Sequence, residues 1–187
     1  YRFFKQVLNA TGAQILMLAH QRDELVETMM MQTLRGGRIE QLLGIPEKRR
    51  FNDGHAEILR PWLGVGKEQL IDFAKQERVT WYEDASNQED ETLRNRFRHH
   101  YLPELTRENP RFEDHCLQYR DQLADLLAVK DDYLSLIWPR LFSDGQLQLK
   151  DWWKLSDATQ RAVLIKWLNQ AGFFDMTADM LIELQHW

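Results

Sequence analysis

Residues 13–34 read AQILMLAHQRDELVETMMMQTL, and this stretch indicates the fold class of the chain. Its first part, 13–19, is a nearly continuous apolar run, which is typical of a buried strand in a parallel sheet. The polar triplet His20-Gln21-Arg22 predicts a turn, and residues 23–34 predict a helix with acidic residues in its first turn. We therefore expect a strand, a turn and a helix, which is the repeating unit of α/β proteins.

The segments around this stretch continue the alternation. We predict a helix, a polar loop, a short strand, an amphipathic helix and a further strand, over residues 2–9, 48–55, 56–61, 67–77 and 79–82. From about Asn109-Pro110 onward the strand candidates disappear, and helical periodicity covers 112–130 and 132–141. We therefore expect an α/β domain with a parallel sheet over 1–105, followed by an all-α domain over 106–187.

The composition excludes several classes of protein. The 187 residues contain 24 Lys and Arg against 29 Asp and Glu, a net charge of −5, which excludes nucleic-acid binding through overall positive charge but not through a local basic surface. The single cysteine, Cys116, excludes an internal disulfide and a paired-cysteine metal or redox site, and it fits a reducing, cytoplasmic setting. No apolar run approaches the roughly 20 residues that span a bilayer, so we expect no membrane partner.

Three carboxylates at the start of the predicted helix are the first candidate site. Asp23 and Glu27 are four residues apart and share one helix face, with Glu24 beside them. Ligands of open α/β sheets collect at the carboxyl ends of strands, where carboxylates hold Mg²⁺ and orient phosphates. The alternative interpretation is that these acids only complement the helix dipole, and that His20 is a hydrogen-bonded histidine at the end of a strand.

A second candidate is the run of arginines Arg94, Arg96 and Arg98, which follows the turn-forming segment 83–87. Three alternating positions cannot share one helix face, so the run is either a solvated charge cluster or a set of cations with more than one partner. On a helix, Arg94 and Arg98 share a face and Arg96 lies roughly opposite, so we expect the first two in the same cleft as Asp23.

A further basic concentration comprises Arg35, Arg38, Lys48, Arg49 and Arg50, which suits a nucleic-acid backbone or a solubilising loop equally. The segment 64–67, Gly-Val-Gly-Lys, lacks the Ser or Thr and the earlier Gly of a Walker phosphate loop. We interpret it as a turn.

In this order, the segments resemble the tRNA(Ile)-lysidine synthetases of the PP-loop ATP pyrophosphatase superfamily. Residues 19–28, AHQRDELVET, and 34–37, LRGG, resemble that family's His-x-Asp-Asp-x-x-Glu-Thr helix with its trailing Arg-Gly. Residues 59–65, LRPWLGV, resemble its Arg-Pro-Leu-Leu segment, and 83–87 with 94–98 resemble its Glu-Asp-x-Ser-Asn and Arg-Asn-x-x-Arg signature. The resemblance is strong to about residue 105, and the helical part resembles the family's central tRNA-binding domain.

The sequence departs from the family pattern at three points. Gln21 stands where the family has its motif histidine, and Glu24 stands where it has a second aspartate. The chain also lacks the Ser-Gly-Gly-x-Asp-Ser loop that wraps ATP phosphates in this superfamily, and in the family order that loop precedes Tyr1. We expect either a fragment of a longer polypeptide, inactive by itself, or a degenerate relative that no longer activates nucleotides.

The resemblance implies an activity and a set of partners. The expected reaction is ATP-dependent adenylation of the anticodon cytidine of an isoleucine tRNA with a CAU anticodon, followed by attack of free lysine to give lysidine. ATP and Mg²⁺ are the implied cofactors, and a homodimer is a candidate assembly. The resemblance assigns catalysis to Asp23, Glu24, Glu27, Arg94 and Arg98, and Mg²⁺ binding to Asp23 and Glu24. It assigns phosphate binding to Arg35 and Asn95. It assigns tRNA binding to Arg38, Arg49, Arg50 and Arg96.

Two other functions are compatible with the sequence. One is a non-catalytic nucleic-acid-binding relative that keeps the fold without ATP chemistry. The other is a different PP-loop tRNA-modifying enzyme such as a thiolase, although those enzymes usually use paired cysteines and Cys116 stands alone.

Overall fold

The structure, a computed structural model, describes residues 1–51, 56–82, 90–143, 146–174 and 176–185. These form two compact units, residues 1–124 and 125–187. The first unit contains the following helices and strands: α1 (Arg2–Thr11), β1 (Ile15–Met17), α2 (Arg22–Leu34), β2 (Lys48–Arg50), β3 (Glu57–Leu59), α3 (Lys67–Gln76), α4 (Leu93–Arg96), α5 (Leu102–Glu108) and the start of α6 (Phe112–Leu141).

A three-stranded sheet with the order β1-β3-β2 lies in the first unit. β1 pairs with β3 in parallel, with Leu16 opposite Ile58, whereas β2 pairs with β3 in antiparallel orientation. The expected parallel sheet is therefore a mixed sheet. Residues 48–50, predicted as loop, form its second edge, because their backbone groups pair with β3.

Two apolar clusters hold the first unit together. One packs α2 against the loop that follows β3 and the helices after residue 93, and its buried members are Leu25, Val26, Met29, Ile45, Leu63, Phe97, Leu102 and Cys116. The other lies on one face of the sheet and contains Leu8, Phe51, Ala56 and Ile58, with Leu16 packed against them. The candidate site lies beside the first cluster, because Leu25 and Val26 precede Glu27 on α2 and Phe97 precedes Arg98.

β1 confirms the predicted strand but not its predicted burial. Ile15 is 50% exposed and Met17 is 67% exposed, while Leu16 packs against the sheet cluster. Alternation along a strand sends Ile15 and Met17 to the face opposite Leu16, and no described element covers that face.

The strand predicted over 79–82 is wrong. These residues form no strand, and the Tyr82 side chain is 94% exposed. Arg78 has a φ of 53°, and the Val79 amide donates to the carbonyl of Ala74, so the chain turns back on the end of α3. It finds no partner strand in the described sheet.

The arginine run lies on a continuous helical segment from α4 to α5. Between these helices, Phe97–Tyr101 winds as a π-helix, which is rare and is frequent at functional sites. Thr92 begins the segment by accepting a hydrogen bond from the Asn95 amide.

The second unit contains the rest of α6 and these elements: β4 (Phe142–Ser143), β5 (Gln146–Leu147), α7 (Leu149–Trp152), α8 (Asp157–Gln170) and α9 (Ala178–Gln185). β4 and β5 pair in antiparallel orientation, so the expectation of an all-α second domain is corrected to a helical unit with one short pair of strands. Its core includes Leu134, Trp152, Val163 and Leu181.

α6 covers both predicted helical stretches, 112–130 and 132–141, as one helix. The division between the two compact units falls within it, after Ala124, whereas the domain boundary near 106 stays a prediction. Among the described helices, none has the length and apolar character needed to cross a bilayer.

Candidate functional site

The N-terminus of α2 is fixed by a capping box. The Gln21 side-chain oxygen accepts from the Asp23 amide at 2.8 Å, and the Glu24 carboxylate accepts from the Gln21 amide at 3.2 Å. The two positions that depart from the family pattern therefore serve one local function together. Glu24 is engaged with the backbone, which is a structural role at the start of the helix.

Asp23 connects α2 to the start of α3. Its Oδ1 atom accepts a hydrogen bond from the Lys67 amide at 3.1 Å, across 44 residues of sequence. Gly66 precedes Lys67 at the N-cap, and a Cβ there would lie 2.7 Å from the Arg22 guanidinium, so the glycine lets Arg22 lie against this turn. Segment 64–67 is thus a turn and helix start, as predicted.

Glu27 carries the strongest ionic contacts of the site. Its side chain is 1% exposed, and Arg98 binds both carboxylate oxygens, with Nε–Oε1 at 2.7 Å and Nη2–Oε2 at 3.0 Å. Arg94 approaches Oε2 at 3.6 Å through Nε and donates to the Thr28 hydroxyl at 3.2 Å. This bidentate pair with Glu27 raises the pKa of Arg98.

Arg96 points elsewhere, as the helical spacing predicts. Its Nη1 atom donates to the carbonyls of Asp90 and Glu91, each at 3.1 Å. Arg94 and Arg98, four residues apart on the helical segment, reach the same carboxylate instead. The run is therefore not a uniform solvated charge cluster.

A cavity of about 280 Å³ opens beside these groups, at the start of α2. Its lining includes Asp23, Glu27 and Arg98, as expected. The helical spacing predicts Arg94 in the same cleft, but it contacts Glu27 without lining the cavity. The other lining residues are Gln21, Lys67, Leu102, Pro103, Thr106 and Glu113. The helix-dipole explanation alone is therefore insufficient for Asp23 and Glu27, because both face a shared cleft.

Glu113 and Lys67 are site residues that the sequence interpretation missed. Glu113 lies in the first turn of α6, beyond the predicted boundary near 106, and its Oε2 lies 3.3 Å from Arg22 Nε. The Nε–H of Arg22 does not point at that oxygen, so the contact is an ion pair without a hydrogen bond. Burial, and then the charge of Asp23, raises the pKa of Glu113. No signal in the sequence joins Glu113 to Asp23, 90 positions earlier.

His20 lies between β1 and α2, directly before the N-cap residue Gln21, and several charged groups surround it. Partial burial lowers its pKa, with Arg60 and Arg94 acting in the same direction and Glu24 opposing them. Its Nδ1 atom is buried and has no hydrogen-bond partner among the described residues. The imidazole is therefore held in its neutral form more strongly than a free histidine.

The remaining predicted residues lie apart from the cavity lining. Arg35 ends α2, about 18 Å along the helix from Asp23 at 1.5 Å per residue. Asn95 contributes its amide to the Thr92 cap. Arg49 and Arg50 lie on the exposed edge strand β2, and the Arg49 guanidinium lies 5.6 Å from the centre of the Tyr1 ring. Arg38 is exposed in the segment that follows α2. The segment Glu83-Asp84-Ala85-Ser86-Asn87 lies outside the described residues.

The described residues do not form a Mg²⁺ site by themselves. Asp23 and Glu24 each accept a backbone hydrogen bond, and no group of three or more His, Cys, Asp or Glu in the described ranges is arranged to hold a metal ion. Mg²⁺ needs near-octahedral oxygen ligands, which these two carboxylates cannot supply alone.

The chain is similar to known proteins along its length. The sequence model of one protein family, described as a PP-loop domain, matches residues 1–105. The tRNA(Ile)-lysidine synthase of Lactiplantibacillus plantarum is 34% identical, over all of this chain and 42% of that protein. The tRNA(Ile)-lysidine synthase of Enterococcus faecalis is 41% identical, over 65% of this chain and 26% of that protein. That of Geobacillus kaustophilus is 33% identical, over 88% of this chain and 36% of that protein. The chain spans less than half the length of these curated relatives.

Proposed function

The chain belongs to the PP-loop domain family, and we propose that it forms part of an ATP-dependent ligase that modifies an isoleucine tRNA. The proposed reaction adenylates the anticodon cytidine with release of pyrophosphate, after which the amine of free lysine displaces AMP to form lysidine. The single observation that carries this proposal is the buried Glu27 carboxylate, held by Arg98 and Arg94 at a cavity lined by the first turns of α2. The relatives named tRNA(Ile)-lysidine synthase supply the identity of the reaction.

The arginines suit the adenylation step. Charge develops on the departing pyrophosphate, and positioned guanidinium groups stabilise such charge in a site partly shielded from water. Arg98 is oriented by two bonds to Glu27, so its geometry is set before a substrate arrives. Glu27 acts in this proposal mainly by positioning Arg98 and Arg94, since both of its oxygens are already engaged.

The carboxylates suit the amine. Asp23 and Glu113 line the same cavity and are less engaged than Glu27, because each has one contact with a nitrogen group. A lysine ammonium group would be attracted to this pair, and Glu113, whose pKa is raised, suits the role of proton acceptor. We place ATP, lysine and the tRNA as substrates of the whole protein. Mg²⁺ would enter with the ATP phosphates, which supply the oxygen ligands that Asp23 and Glu24 lack.

Product analysis tests the proposal directly. The complete gene product is incubated with ATP, labelled lysine and a transcript of isoleucine tRNA with a CAU anticodon, and the digested tRNA is examined by mass spectrometry. We expect lysidine only when all three substrates are present. Glu27→Gln should abolish its formation, while Glu57→Gln, which alters an exposed ion pair with Lys48 on β3, should not. Normal tRNA binding without any lysine incorporation would instead favour the non-catalytic nucleic-acid-binding alternative.

A further inference from the structure

A second cavity in the first unit contains a buried cation that lacks a carboxylate partner. This cavity has a volume of about 410 Å³, and its walls include Leu25, Leu63 and Leu117. Arg60 and Arg120 also line it, with Glu47 and Asp121 as further lining residues. None of these residues belongs to the lining of the first cavity.

Arg60 is 4% exposed, although it carries a full positive charge. Its Nη1 atom donates to the Pro46 carbonyl at 2.7 Å, its Nε atom has no hydrogen-bond partner, and no carboxylate of the described ranges forms an ion pair with it. A buried guanidinium has five donors to satisfy, and an unpaired buried charge costs several kcal/mol. Such a group at a cavity wall is therefore suited to an anion.

Arg120 brings a second guanidinium to the same cavity. Its Nε donates to the Leu43 carbonyl at 3.0 Å and its Nη1 lies 3.5 Å from Asp121, which hold the side chain in place from one side. The acidic residues of the lining, Glu47 and Asp121, are themselves exposed, so water screens their charge, whereas that of Arg60 is not screened in this way.

We propose that this cavity binds the phosphate group of a nucleotide or of an RNA strand, between Arg60 and Arg120. Planar guanidinium groups match the oxygens of a phosphate bidentately, which a single lysine cannot do. The three leucines offer apolar contact to the sugar or base that carries the phosphate. Only the RNA source rests on the proposed tRNA-modifying function; the phosphate site itself does not.

Titration with three probes tests the site: inorganic phosphate, AMP, and a short single-stranded RNA without terminal phosphates. Calorimetry on the protein is compared for the wild type, Arg60→Lys, Arg120→Gln and the control Arg140→Gln, which removes the same charge from an exposed position on the same helix, α6. We expect Arg60→Lys and Arg120→Gln to weaken phosphate binding about tenfold each, and Arg140→Gln to leave it unchanged.

The two organic probes identify the source of the phosphate. If the site takes an RNA phosphodiester, Arg120→Gln weakens RNA binding and lowers the slope of log K against log salt by about one, while AMP binding is unaffected. If it takes a nucleotide, AMP binding weakens and the RNA slope stays constant. Both results support the phosphate site.

The proposal is overturned if neither arginine variant weakens any of the three probes more than Arg140→Gln does. Should Arg60→Lys fail to fold, Arg120→Gln decides alone, because its side chain is 25% exposed and is not part of the core. The phosphate titration needs neither tRNA nor lysine and compares variants of Arg60 and Arg120, whereas lysidine formation depends on the first cavity. Failure of the ligase reaction and failure of this site are therefore separate results.

Discussion

Arg98 donates two hydrogen bonds to Glu27 across 71 residues of sequence, and the carboxylate that receives them is almost fully buried. This pair joins the first helix after β1 to the helical segment that carries the arginine run. Because a guanidinium fork and a carboxylate fix each other's orientation, the pair determines where the neighbouring side chains of the cavity stand.

Glu27→Gln should destabilise the protein by about 2–4 kcal/mol, because it leaves two arginines facing a buried site without a counter-charge. The matched control is Glu57→Gln, whose partner Lys48 is exposed, and it should cost less than about 1 kcal/mol. Urea unfolding of both variants measures the difference. Equal losses of unfolding free energy for the two variants would show that burial does not make the Glu27 ion pair more important for stability than an exposed one.

The three arginines of the run should differ in their effect on adenylation. Arg98→Ala and Arg94→Ala should each lower the rate at least tenfold, about 1.4 kcal/mol of transition-state stabilisation, with Arg98→Ala the more severe because its bonds to Glu27 are shorter. Arg96→Ala should have a much smaller effect, since its guanidinium binds the carbonyls of residues 90 and 91.

Pyrophosphate release at saturating ATP and tRNA measures this order in the complete gene product, beside a tRNA-binding titration. If all three variants lose only tRNA affinity and keep a normal rate, the run is a nucleic-acid-binding cluster and its assignment to adenylation is wrong.

Gly44→Ala should destabilise the first unit by about 2–4 kcal/mol, from backbone strain and overpacking together. Its φ is 69°, and a Cβ there would lie 2.8 Å from Leu25 Cδ1 and 2.9 Å from Met29 Cγ. Gly12→Ala is the comparison, because Gly12 lies in the left-handed helical region, with φ 68° and ψ 14°, and has open space around the added atom. An alanine there should show only the modest strain of that region, whereas Gly44 has a ψ of −129°. Chemical denaturation of the two variants measures the difference, and identical losses would argue against both a steric role for Leu25 and a larger backbone strain at Gly44.

Glu113→Gln should raise stability at neutral pH and lose this advantage in acid. The pKa of Glu113 is raised on folding, so the folded state prefers the protonated form, and the cost of ionising it is absent below the ordinary carboxyl pKa of about 4.3. That cost appears as the pH rises through the folded pKa, and a glutamine avoids it. Unfolding free energies at about pH 4 and pH 7 test the sign, and a variant that is less stable at pH 7 would mean that the Arg22 contact outweighs burial.

The same variant tests the role of Glu113 in the proposed reaction. If its carboxylate accepts a proton from the lysine amine, Glu113→Gln should lower kcat, the rate at saturating lysine, by a larger factor than it raises the KM for lysine. A variant with normal turnover over the whole pH range would leave Glu113 as a partner of Arg22 only.

Local pattern determined much of this protein. The apolar run before residue 20 predicts β1, the acids and the polar turn predict α2, and four-residue spacing predicts that Arg94 and Arg98 share a face while Arg96 does not. These properties depend on backbone periodicity and on side chains close in sequence, so they can be read without a partner element.

Contacts between distant segments decided the rest. Whether residues 48–50 or 79–82 form a strand depends on which segment pairs with a strand of the sheet. Residues 48–50 pair with β3, and residues 79–82 do not. Glu113 lies in the site because the first turn of α6 contacts Arg22. The negative charge of Glu27 is balanced because Arg98, 71 residues later, pairs with it. Burial and pairing of charges arise only when segments far apart in the chain exclude water together, and neither composition nor spacing along the chain encodes that proximity.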